Sequence, residues 1–230
     1  MKTVGLIGGI GPESTIEYYR LIVSSYLAQE KSGNYPQIII NSINMKKMLD
    51  LIGETKLDEA TDYLVDEIEK LAKAGADFAL LASNTPHIVF DNIKKVSPLP
   101  LISIVEATCE KVLSLGLKRL GLFGTKFTMQ SGFYDKIFMR HDISIVIPDK
   151  IEQGYIHDKY MGELVKGIIR YETKSELLKI AYDLKENKGI EGLILGGTEL
   201  PLILKETDDI GIPLLDTTKI HVESILKKLL

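Results

Sequence analysis

The chain has one cysteine, Cys109, which leaves no partner for an internal disulfide and no Cys-rich metal site. Its four histidines, His87, His141, His157 and His221, are scattered without ligand spacing, so no metal is expected. Positive charge is not in excess. The 28 Lys and Arg residues face 32 Asp and Glu residues for a net charge of -4, and no basic cluster is interleaved with aromatics, which argues against nucleic acid as a partner. Long apolar runs are missing as well, since none approaches the ~20 residues of a membrane span. Met1-Lys2-Thr3 reads directly into a strand rather than a signal peptide. A cytoplasmic protein without a membrane partner is expected.

What is present is core-forming material: 230 residues, 45% of them hydrophobic, enough for one large domain or two of about 110 residues. One stretch organises the rest. Ala79-Leu80-Leu81-Ala82 reads as a buried parallel strand that runs into Ser83-Asn84-Thr85 and then Pro86. Small polar residues at the carboxyl end of such a strand stand where open α/β sheets bind ligands. Pro86 fits the first turn of a helix, whose free N–H groups favour an anion.

The chain repeats this statement. Gly75 to Thr85 is echoed by Gly189 to Glu199 at an offset of 114 residues. Gly5-Leu6-Ile7-Gly8 is echoed by Gly121-Leu122-Phe123-Gly124 at 116, and Leu99-Pro100-Leu101-Ile102 by Ile212-Pro213-Leu214-Leu215 at 113. Three echoes in register predict two similar halves. With strands and helices alternating throughout, the expected fold is α/β: two similar domains with mainly parallel sheets and a small-molecule cleft between them. The first half runs short of a closing strand and helix, so the last strand and helix are expected to cross back. That gives 1–98 plus about 210–230 as the first domain and 99–209 as the second.

Gly8-Gly9-Ile10-Gly11-Pro12 forms a glycine-rich turn whose amides are read as held open for an anion. It is not a dinucleotide fingerprint. The third glycine is missing, and the second strand, from Gln37 to Ile43, ends in Asn44 rather than an acid. No cofactor is expected. Lys46 and Lys47 after that strand either reach a ligand carboxylate or are simply solvated. Leu57 to Ala74 is an amphipathic helix, and Cys109, with Val112 and Leu113 nearby, reads as a core thiol rather than a nucleophile. Thr125 and Thr128 on the turn after the Gly121 strand are caps or carboxylate ligands. Helices are expected over 159–169 and 175–184. The Gly8–Ile10 turn, Ser83-Asn84-Thr85, Thr125, Thr128 and Gly197-Thr198-Glu199 all fall at strand ends or helix starts, and together they are the expected ligand site.

At these positions the sequence resembles the aspartate/glutamate racemase family along its whole length. The pieces are Gly5-Leu6-Ile7-Gly8-Gly9 with Glu13-Ser14-Thr15, Asn84-Thr85 with His87, and Gly124-Thr125 with Phe127-Thr128-Met129 and Phe133-Tyr134. Leu195-Gly196 with Thr198-Glu199, and Asp216-Thr217-Thr218 with Ile220-His221, complete the pattern. The resemblance implies two α/β domains about a pseudo-two-fold axis, a homodimer, and cofactor-independent inversion at the α-carbon of a small acidic amino acid. It further implies that Gly9, Ile10, Asn84, Thr85, Thr125, Thr128, Thr198 and Glu199 hold the substrate. Lys47 and Lys166 are the implied partners of its side-chain carboxylate.

The family uses two cysteines as paired acid and base, one before Asn-Thr and one before Thr-Glu. Here those positions are Ser83 and Gly197. Inversion needs one group to remove the α-proton and another to return one from the opposite face, each with a workable pKa. A thiol tuned toward thiolate does this; a serine hydroxyl needs a neighbour to activate it, and glycine offers nothing. Three readings stay open: an enzyme whose cysteines were substituted to trap substrate, a weak or one-sided enzyme using Ser83 with another group, or a non-catalytic protein that binds an acidic amino acid or dicarboxylate. Thiols at both positions are expected to restore α-proton exchange.

Overall fold

A computed structural model describes residues 2–230. The first unit begins with β1 (Thr3–Gly8), α1 (Pro12–Gln29), β2 (Gln37–Ser42), α2 (Met45–Gly53) and α3 (Leu57–Lys73). It continues through β3 (Phe78–Leu81), a 3₁₀ turn at Thr85–Val89, α4 (Phe90–Val96) and β4 (Leu101–Ile102). All four strands are parallel in the order β2-β1-β3-β4. The run Phe-Ala-Leu-Leu of β3 is buried at every position, as a strand covered on both faces requires. Over the sheet, α3 turns in Ala60, Leu64, Ile68 and Leu71, one face of a 3.6-residue repeat.

The second unit holds α5 (Ile104–Ser114), β5 (Arg119–Gly124), α6 (Lys126–Gln130), α7 (Phe133–Phe138), β6 (Ser144–Val146) and α8 (Lys150–Gly162). After a 3₁₀ turn at Leu164–Lys166 come α9 (Tyr171–Lys188), β7 (Gly192–Gly196), α10 (Leu200–Ile203) and β8 (Leu214–Asp216); the last helix, α11 (Thr217–Leu229), belongs mostly to the first unit. Its four parallel strands are ordered β6-β5-β7-β8, which repeats the first sheet strand for strand. The three sequence echoes fall on β1 and β5, β3 and β7, and β4 and β8, so the repeat is one of structure.

The domain limits shift from those expected. One unit runs to Ile104 and resumes at His221–Leu230; the other is Val105–Ile220. The strand at Leu101–Ile102 pairs with β3 through Ala79↔Leu101, so it closes the first sheet. The last strand does not cross back: β8 pairs with β7, Leu193↔Leu214 and Leu195↔Asp216. Only α11 returns, burying Val222, Ile225, Leu226 and Leu229 with Val4, Leu6, Tyr18, Phe78 and Leu80. The place beside β3 was already taken, leaving the last strand its own sheet.

Two further differences concern helices. The expected helix over 159–169 is instead α8, which starts at Lys150 on an Asp149–Glu152 capping box and stops at Gly162. A 3₁₀ turn then ends in Gly167 at φ +70°. An additional helix, α2, follows the second strand: Asn44 accepts the Lys47 N–H as its N-cap. Cys109 is buried in α5, as read from its neighbours. No helix among the described residues is long and apolar enough to cross a membrane.

Candidate functional site

In the first unit, the sequence-designated residues gather at the carboxyl ends of the neighbouring strands β1 and β3. Gly9 follows β1 at φ +80°, and a Cβ there would lie 2.6 Å from the Ile43 carbonyl, so only glycine makes this turn. Its N–H donates to Thr15 Oγ1 at 2.8 Å, so this amide is engaged within the chain and not held open for an anion. Ser14 Oγ donates to the Gly11 carbonyl (2.8 Å) and lies 3.2 Å from that of Ala82, tying the first turn of α1 to the end of β3. Ile10, Ser83, Asn84 and Thr85 are all buried. Pro86 lies in the first turn of a five-residue 3₁₀ helix, Thr85–Val89, rather than of an α-helix.

His87 sits four residues after Ser83, a spacing that invites a serine–histidine pair, but the hydrogen bonds exclude it. The Ile104 N–H donates to His87 Nε2 at 3.3 Å, so the ring proton is on Nδ1, which donates to the Ser83 carbonyl at 3.0 Å. Both ring nitrogens are committed to backbone. Burial first, and then His221 nearby, lowers the pKa of His87 from 6.5 to about 3, so the ring is neutral. It fixes the Ser83 backbone and stacks on Phe90 at 4.7 Å without activating the Ser83 hydroxyl. His221 is held similarly: its Nε2–H donates to the Ile102 carbonyl (3.1 Å), and Nδ1 accepts from the Tyr18 hydroxyl (2.8 Å).

The second unit repeats the arrangement at the ends of β5 and β7. Thr125 Oγ1 accepts the Thr128 N–H at 3.2 Å and lies 3.1 Å from Thr128 Oγ1, so the capping role is met. At β7, Gly197, Thr198 and Glu199 are buried. The Thr198 hydroxyl donates to Glu199 Oε2 at 2.8 Å, and the Tyr160 hydroxyl donates to the same oxygen. Tyr160 comes from α8 and packs among Phe123, Met129, Ile156, Leu195 and Leu200. Burial, and next the Glu199 charge, push its phenol well above the ordinary value of 10. Nothing in the sequence flagged Tyr160, because its role depends on a contact 39 residues away.

Thr218, part of the Asp-Thr-Thr motif, was not singled out for the site either. It follows β8, and its buried hydroxyl has no hydrogen-bond partner among the described residues, which marks it as a further candidate for a ligand contact. The two lysines are placed differently. Lys47 is exposed in the first turn of α2, with Nζ 4.1 Å from the centroid of the Tyr63 ring. Lys166 is exposed at the end of its 3₁₀ turn in the second unit.

Comparison with known proteins assigns the chain a family. The sequence model of the Asp/Glu/Hydantoin racemase family matches residues 7–225. The broad specificity amino-acid racemase RacX of Bacillus subtilis (strain 168) is 28% identical over 154 residues, 66% of this chain and 66% of RacX, just under two thirds of that relative's length. The structure of an aspartate racemase homologue from Pyrococcus horikoshii OT3 is similar with a TM-score of 0.85 and 32% identity, covering 100% of this chain and 99% of that one. Picrophilus torridus aspartate racemase shares the fold at a TM-score of 0.79 and 23% identity, over 100% of this chain and 94% of its own. With a family match that runs nearly end to end and a doubled four-stranded parallel sheet to go with it, this chain belongs to the Asp/Glu/Hydantoin racemase family.

Proposed function

We propose that this chain is a cofactor-independent amino-acid racemase acting on a small acidic amino acid, aspartate or glutamate. The observation that carries the reading is positional. In a chain matched by the family from residue 7 to 225, Ser83 and Gly197 follow the equivalent strands β3 and β7 at an offset of 114 residues. In this reading Asn84, Thr85, Thr125, Thr128, Thr198, Glu199 and the Gly9–Ile10 turn bind the substrate's α-carboxylate and amino group, and Lys47 or Lys166 takes its side-chain carboxylate. The assembly is a homodimer in the cytoplasm, the first of which light scattering tests.

Without a thiol at either position, turnover is slow: losing a positioned acid or base typically costs ~10²–10⁴ in rate. Calorimetry with aspartate, glutamate and alanine, followed by chiral chromatography of the two acids, tests the proposal. Binding of the acids over alanine with slow interconversion of enantiomers supports it; equal binding of all three, or of none, sinks it. A second reading is a non-catalytic protein for acidic amino acids or dicarboxylates. It is favoured by the committed nitrogens of His87, which leave Ser83 without that base, and it predicts binding with no interconversion.

A further inference from the structure

At Gly197 the space that a side chain would take is filled. A Cβ built there would land on Tyr160 Cε2, 3.0 Å from Cζ and 3.1 Å from the phenol oxygen. Tyr160 therefore presents its hydroxyl within about one side chain's reach of where a residue-197 thiol would stand. The glycine is what admits the ring. The hydroxyl donates to Glu199 Oε2, two residues along the chain, and Thr198 donates to that same oxygen at 2.8 Å. The ring is pinned by α8 and its apolar neighbours, so the oxygen is held in place rather than swinging free.

We infer that Tyr160, coupled to Glu199, is the proton-transfer group at the Gly197 end, in the role the family gives to its second thiol. The inference rests on the racemase reading and deepens it. Tyr160 does not act as a free phenolate, since burial and the Glu199 charge keep the phenol protonated. It acts as a relay. In removal, the Cα–H bond breaks and its proton joins the Tyr160 oxygen, while the phenol's own proton passes to Glu199 Oε2. The substrate becomes a carbanion, Glu199 a carboxylic acid, and Tyr160 stays neutral. In return, Tyr160 gives its proton to the α-carbon and takes one from Glu199. Charge and protons balance in both directions, and no co-reactant is needed.

The test is α-hydrogen exchange of each enantiomer of aspartate and glutamate in deuterated water, followed by NMR, with binding measured in parallel. Tyr160→Phe keeps the ring and its packing and removes only the hydroxyl. Glu199→Gln still accepts from Tyr160 but cannot take up its proton. Both variants should lose exchange by ~10²–10⁴-fold, far more than any loss of binding, with thermal unfolding close to that of the parent. A core tyrosine with a merely structural role would leave exchange in step with stability. Equal exchange by parent and both variants overturns the inference and leaves the racemase reading standing. Binding without exchange in the parent overturns it too, while the binding reading survives. Failure of the parent to bind either acid overturns the racemase reading and the inference with it. Should Tyr160→Phe fold poorly, Glu199→Gln alone decides.

Discussion

At the scale of single residues, Gly197 has the sharpest consequence. Since a Cβ there meets the Tyr160 ring, Gly197→Ala should destabilise the chain by about 1–3 kcal/mol, as overpacking does, read from urea unfolding. The same contact bears on Gly197→Cys, which should not restore chemistry by itself, because the thiol and the ring compete for one space. His87 and His221 give a second prediction. Burial lowers their pKa values to about 3 and about 4 from 6.5. The folded state keeps both neutral while the unfolded chain takes up protons below pH 6.5. Stability is then complete above 6.5, falls as pH drops, and stops falling for His221 near 4 and for His87 near 3. Between pH 7 and 5 the two together should remove roughly 4 kcal/mol, and His87→Gln should about halve that slope in unfolding titrations. Of these residues, Ser83 and Gly197 were legible as strand-end positions and Cys109 as core. The commitment of both His87 ring nitrogens to backbone was not legible, because the i,i+4 spacing from Ser83 does not say which atom a ring nitrogen meets.

At the scale of elements, strand ends were easy to read and helix limits were not. An apolar run that stops at Ser83-Asn84 or Gly197-Thr198 is a local signal, written in adjacent residues. The helix α2 carries only a short apolar stripe, Met48 and Ile52, and its N-cap Asn44 looks equally like the end of a strand. For α8 the opposite held: its interior was mistaken for its start, though Asp149 and Glu152 spell a capping box. That box supports the helix that carries Tyr160. Replacing Asp149 by alanine frees the N–H groups of Ile151 and Glu152, now 2.8 and 2.9 Å from its carboxylate. The expected cost is about 1 kcal/mol. If α8 positions Tyr160, α-hydrogen exchange should slow more than binding weakens in the same variant.

At the scale of the whole molecule, the repeat told more than the alternation of elements did. The echo between Leu99–Ile102 and Ile212–Leu215 had already matched β4 to β8. Each fourth strand thus belonged to its own half, and moving only the last helix gives the observed division. That division predicts an asymmetry in stability. Cutting the chain after Ile220 removes Val222, Ile225, Leu226 and Leu229 from the first core, at about 1.5–3 kcal/mol each. The total rivals the stability of an ordinary domain, ~5–15 kcal/mol. Amides of β1 and β3 should lose hydrogen-exchange protection, while those of β5 and β7 keep theirs. Under the proposed relay, the Gly197 end transfers protons faster than the Ser83 end, whose hydroxyl His87 does not activate. A base on one face that outpaces its counterpart returns a solvent-exchanged proton from the side it came from. The most direct measurement is therefore the ratio of α-deuterium uptake to inversion for each enantiomer of aspartate and glutamate in deuterated water. One enantiomer should take up deuterium well before it inverts, and its mirror image should not. Equal rates of uptake and inversion from both enantiomers would contradict that asymmetry, and no uptake by an enzyme that binds both would contradict the chemistry itself.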